Sequence, residues 1–434
     1  MHTQDFEITL ENISKIEGHA EIGISVKGKK VKDVKLRINE NRRFYTQAVR
    51  GKVATGVAQI VSRICGTCSI AHQTACTEAV ERGLGITPSD QTLLLRNLLL
   101  YGLNIRDHAM HLYLFCLPDI YGKDSILDFP DDGPLHEQVH HAFDIKSAGN
   151  RLSIEVGGRA VHAPLPVVGG FLKMPNVKNL KMIAKELEAV RNAAIEFVDV
   201  FYNCHFSQET DASFVSLLSD RFTYLGDELA SSEGICIPEW KFPHYLQKIV
   251  LPYSQAPGFQ FVGRPYIVGA ISRINLNGGN IHRRTRKDLA KYLSAFPSTN
   301  IYHNNLAQAI EIVHCIDHSI EIIDSLELKD QPPVLPKPPA KEVEGVGAIE
   351  APRGTLYYNL KITPDLKIAN ANLVIPTAQN QVNMEKEIGK LVQHNLDVGR
   401  SKAAIQKDIE KLIRAYDPCM SCATNFLKLR WKEE

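Results

Sequence analysis

Four cysteines in two pairs, Cys65-Gly66-Thr67-Cys68 and Cys419-Met420-Ser421-Cys422, are the residues of this chain best suited to chemistry. A Cys-x-x-Cys turn points both sulfurs the same way, and a helix beginning just after it offers unpaired N–H groups that favour thiolate over thiol. Four soft, anionic ligands select Zn²⁺, an iron–sulfur cluster or a soft late transition metal over Mg²⁺ or Ca²⁺. A zinc ribbon sets its two pairs roughly 15 to 20 residues apart, whereas here nearly the whole chain lies between them. A thioredoxin-like dithiol needs one pair in a βαβ setting, and neither pair has one. On spacing alone, a joined catalytic metal site and a structural Cys₄ site both stay open.

Other residues could serve such a centre, each with a plainer alternative. Glu17, in Lys15-Ile16-Glu17-Gly18-His19, is either a solvated turn residue, which the sequence alone favours, or a carboxylate aimed inward. Asp107 and His111 share a helix face at i,i+4, and with His108 they form an ionisable cluster on an apolar helix that needs partners; the commoner outcome is a pair of satisfied core histidines. Arg353 follows Ala351-Pro352 at one end of a predicted hairpin and reads otherwise as a surface ion pair. Thr377 lies in Pro376-Thr377-Ala378 at its other end and reads otherwise as a helix N-cap.

The elements that must position these residues follow from patterning. Residues 6–39 alternate as strands, with Gly28-Lys29-Lys30 turning Ala20–Val26 back into Val31–Ile38, so an antiparallel N-terminal sheet is expected. Helical periodicity over 46–62 leads into the first cysteine pair, and a second helix runs from about Ser69 to Arg82, ending at Gly83. A long helix spans Pro88 to Leu117, and others cover roughly 177–208, 284–296, 302–326, 381–394 and 399–415. Turns are expected at Gly157-Gly158-Arg159 and Val167-Val168-Gly169-Gly170. The proline-rich 331–340 is a stiff connector that need not separate domains, and Gly354–Ile362 with Ile368–Ile375 reads as a C-terminal hairpin. The fold class is therefore α+β and predominantly helical: a central bundle of long helices, an N-terminal antiparallel sheet and a C-terminal β-hairpin, in a single domain over 1–434.

Composition limits the partners. The 434 residues are 44% hydrophobic and 23% charged with a formal charge of +1, enough for a large core and without the basic run that nucleic acid or an anionic membrane would require. The polar start Met1-His2-Thr3-Gln4-Asp5-Phe6 has no signal-peptide pattern, and no apolar run approaches the ~20 residues of a membrane span; a cytoplasmic chain is expected. Of the nine cysteines, Cys76, Cys116 and Cys315 fall on predicted helices as small core residues, and no disulfide framework is present. No G-x-G-x-x-G or G-x-x-x-x-G-K-[ST] run offers a dinucleotide or nucleoside triphosphate site.

Taken together, Arg63-x-Cys65-Gly66-x-Cys68-x-x-x-His72, Asp417-Pro418-Cys419-x-x-Cys422, Lys15-x-Glu17-Gly18-His19 and Glu350-Ala351-Pro352-Arg353-Gly354 resemble the catalytic large subunit of the [NiFe] hydrogenases, from about residue 10 to about 425. Gly263–Arg273 and Asn304–Ala309 are similar in particular to the cytoplasmic branch whose complexes couple hydrogen to NAD(P) or sulfur. The resemblance implies that fold, and a nickel held by Cys65, Cys68, Cys419 and Cys422 with an iron sharing Cys68 and Cys422 and carrying two cyanides and one carbon monoxide. It implies hydrogen-bond donation to the cyanides at Arg353 and Thr377, with Pro376 beside them, and from His72 to a bridging thiolate. Hydrogen would split heterolytically, its proton passing through Cys419 to Glu17, while Arg353 overhangs the open site and Asp107 orients it.

Partners implied by the same resemblance are an iron–sulfur small subunit, flavin- or NAD(P)-binding electron-transfer subunits and maturation factors. The chain departs from the family where a further Mg or Fe ion near the C-terminus is usually served by a glutamate and a histidine: Thr46 and Asn425 stand there, so that ion is not expected. Proteolytic maturation after Asn425 would remove 426–434, and retention of that tail is expected here. The alternatives are a metal-free relative kept as a structural or ion-coupling subunit, and a structural Cys₄ zinc protein.

Overall fold

The alternation of apolar residues near the N-terminus closes a three-stranded antiparallel sheet in the computed structural model, which describes residues 6–11, 13–39 and 45–424. Its strands are Phe6–Leu10, Ala20–Lys27 and Lys30–Ile38 in sequence order. Ala20, Ile22, Ile24 and Val26 all point into the core, as a period of two requires. Gly28 and Lys29, both with positive φ, make the tight turn whose twist matches the flanking strands.

The outer edge of this sheet is covered by helix Pro376–Asp397. Gln393 accepts from Val31 N–H, Glu385 accepts from Leu36 N–H, and Gln381 donates to Leu36 C=O, each at 2.9 Å. Residues 381, 385 and 393 lie at multiples of four on one helix face, and they satisfy backbone groups that an uncovered edge strand would leave open. The sheet thereby fixes the register of a helix whose first turn is Pro376-Thr377.

The helical body consists chiefly of Ser69–Leu84, Asp90–Ala109, Pro134–Gly157, Val177–Tyr202 and His303–Ser325. Helix Ser69–Leu84 lies on a second antiparallel sheet, Val343–Ala351, Gly354–Ile362 and Ile368–Val374. The approach is so close that a Cβ on Gly345 would stand 2.0 Å from the Ala79 carbonyl oxygen, and one on Gly347 would stand 2.3 Å from that of Ala75. Two glycines, alternating on one face, let the helix that follows the first cysteine pair seat directly on the sheet that carries Arg353.

Several expectations are corrected. The periodic segment 46–62 is broken into Tyr45–Ala48 and Ala54–Val61, with Gly51 at φ 73° between them, before a 3₁₀ turn at Ser62–Ile64. Helix Ser69–Leu84 runs through Gly83 and ends at Gly85, which takes the left-handed cap conformation, because Gly83 is needed against Gly345. The Pro88–Leu117 helix is α over Asp90–Ala109 with Ser89 as its cap, then widens to a π-helix over Met110–Cys116. The segment 284–296 holds two short helices, Arg283–Asp288 and Ala290–Leu293. Helix 177–208 stops at Tyr202. The C-terminal hairpin is a three-stranded sheet, since Val343–Ala351 pairs with Gly354–Ile362.

Absent from the sequence reading are helix Pro134–Gly157 and a mixed four-stranded sheet of Tyr266–Ile267, Ser213–Leu218, Glu228–Ser231 and Cys236–Pro238. The connector 331–340 has no regular structure and is held along the body, with Val334 N–H donating to Gly169 C=O at 3.1 Å. Among the described residues no helix is long and apolar enough to cross a membrane.

Candidate metal centre

The two cysteine pairs, 354 residues apart in the chain, meet in the interior. One ligand atom from each of Cys65, Cys68, Cys419 and Cys422 lies within 4.8 Å of every other, and all four residues are buried. Sulfur–sulfur separations are 3.5 Å for Cys65–Cys419, 3.2 Å for Cys68–Cys422 and 2.7 Å for Cys419–Cys422. Each pair sits where a helix begins: Cys68 immediately precedes Ser69–Leu84 and Cys419 immediately precedes Met420–Ala423.

Burial pushes the Cys419 and Cys422 thiols well up from their ordinary range, while hydrogen bonding from Cys419, Cys422 and Cys68 pulls Cys65 well down. Four sulfurs this close cannot all be thiolates in a dry interior unless a cation sits among them, and a bound metal ionises its thiols outright. The donor set is therefore chemically complete for a thiolate-bound metal centre.

A small cavity, with room for about one water molecule, lies beside the sulfurs, lined by Cys68, His72, Ala351, Arg353, Leu356, Ile375, Pro376, Thr377, Cys419 and Cys422. Arg353 is at the tip of the two-residue turn between strands Val343–Ala351 and Gly354–Ile362. Gly354 permits that turn, with φ 124° and room for no Cβ against Val268. Only 4% exposed, Arg353 is no surface ion pair. Its Nη1 donates to Asp107 Oδ2 at 2.8 Å, and its Nη2 lies 3.1 Å from Asp417 Oδ1 without hydrogen-bond alignment. Nε and Nη2 have no hydrogen-bond acceptor among the described residues. Burial works against the cation, yet Asp107 and Asp417 outweigh it and hold the guanidinium firmly charged.

Thr377 is not an N-cap: Ile375 holds that place, and Pro376 and Thr377 form the first turn. Its Oγ1 accepts from Cys419 N–H at 2.9 Å, which leaves the hydroxyl proton to donate elsewhere. His72 pairs through Nδ1 with the Tyr358 hydroxyl at 2.7 Å, and burial lowers its pKa to about 4, so the imidazole is neutral.

Glu17 is turned inward. Its backbone bridges to Cys419, with Met420 N–H donating to Glu17 C=O at 3.0 Å. The carboxylate accepts from the Cys419 thiol and from Ser421 N–H, both at 3.1 Å, and from the Ser421 hydroxyl. All the residues singled out for the centre, Glu17, Cys65, Cys68, His72, Asp107, Arg353, Pro376, Thr377, Cys419 and Cys422, thus come together. His108 points elsewhere, its Nε2 pairing with Glu311 at 2.8 Å, while its Nδ1 has no hydrogen-bond partner among the described residues. Of the Thr46–Asn425 pair, Asn425 lies outside the described residues, as does the tail 426–434.

Sequence reasoning missed the residues that hold these in place. Ser421 clamps Glu17. Asp417 faces Arg353 from the turn before the second pair, where it has a positive φ of 49°; its place two residues before Cys419 was the available signal. Arg106, one position before Asp107, is buried and donates to the Thr67 and Ala160 carbonyls, tying the first cysteine loop down. Gln308 donates to Asp417 at 2.8 Å and pairs at 2.6 Å with His111, which the sequence did single out and whose other nitrogen bonds the Arg414 carbonyl at 2.8 Å.

The sequence pattern of the nickel-dependent hydrogenase family matches residues 43–129 and 244–425. Sulfhydrogenase 1 subunit alpha of Pyrococcus furiosus is 32% identical over 433 residues, covering 97% of this chain and 98% of its own. The NAD-reducing hydrogenase HoxS subunit beta of Cupriavidus necator is 25% identical over 474 residues, covering 97% and 95%. A solved NAD⁺-reducing [NiFe]-hydrogenase in its H₂-reduced state aligns with a TM-score of 0.83 over 96% of this chain and 99% of its own, at 22% identity.

Proposed function

The chain belongs to the nickel-dependent hydrogenase family, and on that premise we propose that it is the catalytic large subunit that cleaves and forms H₂ reversibly at a nickel–iron centre bearing two cyanides and one carbon monoxide. The observation that carries the reading is the meeting of four buried cysteine sulfurs within 4.8 Å beside a cavity. A structural zinc site would need the sulfurs but neither the adjoining space nor an arginine with two unsatisfied buried N–H donors. Those donors, Arg353 Nε and Nη2, and the Thr377 hydroxyl suit buried ligands that end in hydrogen-bond acceptors, as cyanide does.

Cys65, Cys68, Cys419 and Cys422 would hold the metals, whose redox and Lewis-acid chemistry splits dihydrogen heterolytically when they are bound. Cys419 is the first proton holder, because Glu17 lies 3.1 Å from its sulfur and is the one carboxylate hydrogen-bonded to it among the described residues. Glu17 then carries the proton onward, kept in reach by Ser421. Arg353 keeps its charge and acts by position and field, with Asp107 fixing one edge of its guanidinium.

Electrons leave through an iron–sulfur small subunit, since this chain has no further thiolate cluster among its described residues. From there they pass to NAD(P) or sulfur through flavin- or NAD(P)-binding subunits, a reading supported by a relative named as NAD-reducing and another named a sulfhydrogenase. Metal analysis with infrared spectroscopy tests the reading: about one nickel and one iron per dinuclear site, with bands of metal-bound carbon monoxide and cyanide, are expected. Stoichiometric zinc without those bands would overturn it.

A further inference from the structure

Away from the buried centre, the run His136-Glu137-Gln138-Val139-His140 occupies the first two turns of helix Pro134–Gly157. The spacing puts both imidazoles on one face, the arrangement with which a helix grips a metal through two histidines. Their Nε2 atoms are 2.9 Å apart and the rings meet at 71°. With bonds of about 2.05 Å to each nitrogen, a 2.9 Å bite subtends about 90° at a shared ion, against about 109° for a tetrahedral one. An angle near 90° suits the square-planar or octahedral coordination that Cu²⁺ and Ni²⁺ favour. Asp131, Asp132, Glu137 and Asp144 flank the pair in sequence and are exposed, a local excess of negative charge that favours a cation.

We propose that His136 and His140 form a surface chelate for a divalent late transition ion, Ni²⁺ or Cu²⁺, separate from the buried sulfurs. Water completes its coordination. No third histidine, cysteine or carboxylate joins the pair among the described residues, and the neighbouring His141 is turned to Glu196, 3.7 Å away. Glu137 is exposed, and the site proposed is one of metal binding alone. Its two ligands are accessible, unlike the four buried cysteines, and a chelator strips it first.

The test uses the full-length active protein, purified without a polyhistidine tag, washed with EDTA and titrated with Cu²⁺ under electron paramagnetic resonance. One tetragonal Cu²⁺ per chain with hyperfine structure from two nitrogens is expected. Affinity should fall at least tenfold in either His136→Gln or His140→Gln, with hydrogen oxidation unchanged in both. The same wash should remove nickel in excess of one per chain from untreated protein and leave the carbon monoxide and cyanide bands untouched. An identical two-nitrogen signal in the double variant would assign the copper to other histidines and overturn the proposal, as would no signal beyond hydrated copper in the wild type, which would leave the pair as one ring hydrogen-bonded to the other.

Discussion

Glu17 reaches Cys419 because three donors converge on its carboxylate, and two of them belong to Ser421. Replacing Glu17 with Gln retains hydrogen bonding but removes the proton relay proposed for it. Hydrogen oxidation should fall by about 10² or more, with infrared bands unchanged; activity within a few-fold of wild type would exclude Glu17 as principal relay. Ser421→Ala removes one charge-assisted bond of about 1.5 to 3 kcal/mol and leaves the backbone donor. Its turnover should drop about tenfold, between wild type and Glu17→Gln. A second residue-scale case is His111, whose two ring nitrogens both face acceptors, the Gln308 and Arg414 carbonyl oxygens. Burial alone would lower its pKa, but Asp417, Cys116 and Gln308 raise it to about 10. A folded pKa above the ordinary value of about 6.5 contributes stability that is full below that value and lost as pH rises through about 10. Melting of His111→Gln against wild type should therefore show its widest gap in acid and a closing gap from about pH 6.5 to about 10; a gap independent of pH would mean that His111 is neutral.

Helix Ser69–Leu84 and strand Val343–Ala351 touch through bare backbone, and this contact sets how near the first cysteine pair stands to Arg353. Gly345→Ala forces a methyl to within 2.0 Å of the Ala79 oxygen, an overpacking that costs about 1–3 kcal/mol or more. Gly56→Ala, in an exposed helix position with nothing within 4 Å, should raise stability by about 0.5–1 kcal/mol. Thermal unfolding of the two variants should move in opposite directions, and equal shifts would show that the helix can lift off the sheet at no cost. The same contact explains what the sequence left illegible. Val343–Ala351 is buried on both faces over most of its length and spaced with glycine, so it lacks the alternation that marks a strand. Helix Pro134–Gly157 buries Ile145, Leu152 and Val156 among Ala142, Ala148, Gly149, Ser153 and Gly157; the small residues allow a close crossing, with Gly149 against Gly102 and Arg106, and they dilute the hydrophobic period. The strands of the mixed sheet are two to six residues long, too short for a period to appear. The N-terminal sheet and the long helices of ordinary amphipathic pattern were readable, and so was the centre, because cysteine spacing and motif order survive without knowledge of the packing.

Across the whole molecule, the closing segment joins two cores. Cys419 and Cys422 pack into the helical core with Cys65 and Cys68, while Tyr416, Met420 and Ala423, alternating with them, pack into the core formed by the N-terminal sheet and helices Pro376–Asp397 and Lys402–Ala415. Backbone bonding to Glu17 ties the same segment to the chain's beginning. The sulfurs are its weak point. Without a cation, burial keeps Cys419 and Cys422 protonated beside a Cys65 drawn toward thiolate; with one, all four ionise and bind. A ligand held by the folded state and not by the unfolded chain stabilises by about 4 kcal/mol at a thousandfold excess over its Kd, and the four ligands here span nearly the whole sequence, so the gain belongs to the global fold. Protein produced in cells deprived of nickel should accordingly melt several degrees below the loaded enzyme and be cut by protease within 417–424, a segment buried in this structure. Cys419→Ser should behave like the deprived protein in both assays and lack activity. Equal melting and equal resistance to cleavage would show that the sulfur cluster is closed by packing alone and that the metal adds chemistry but no stability.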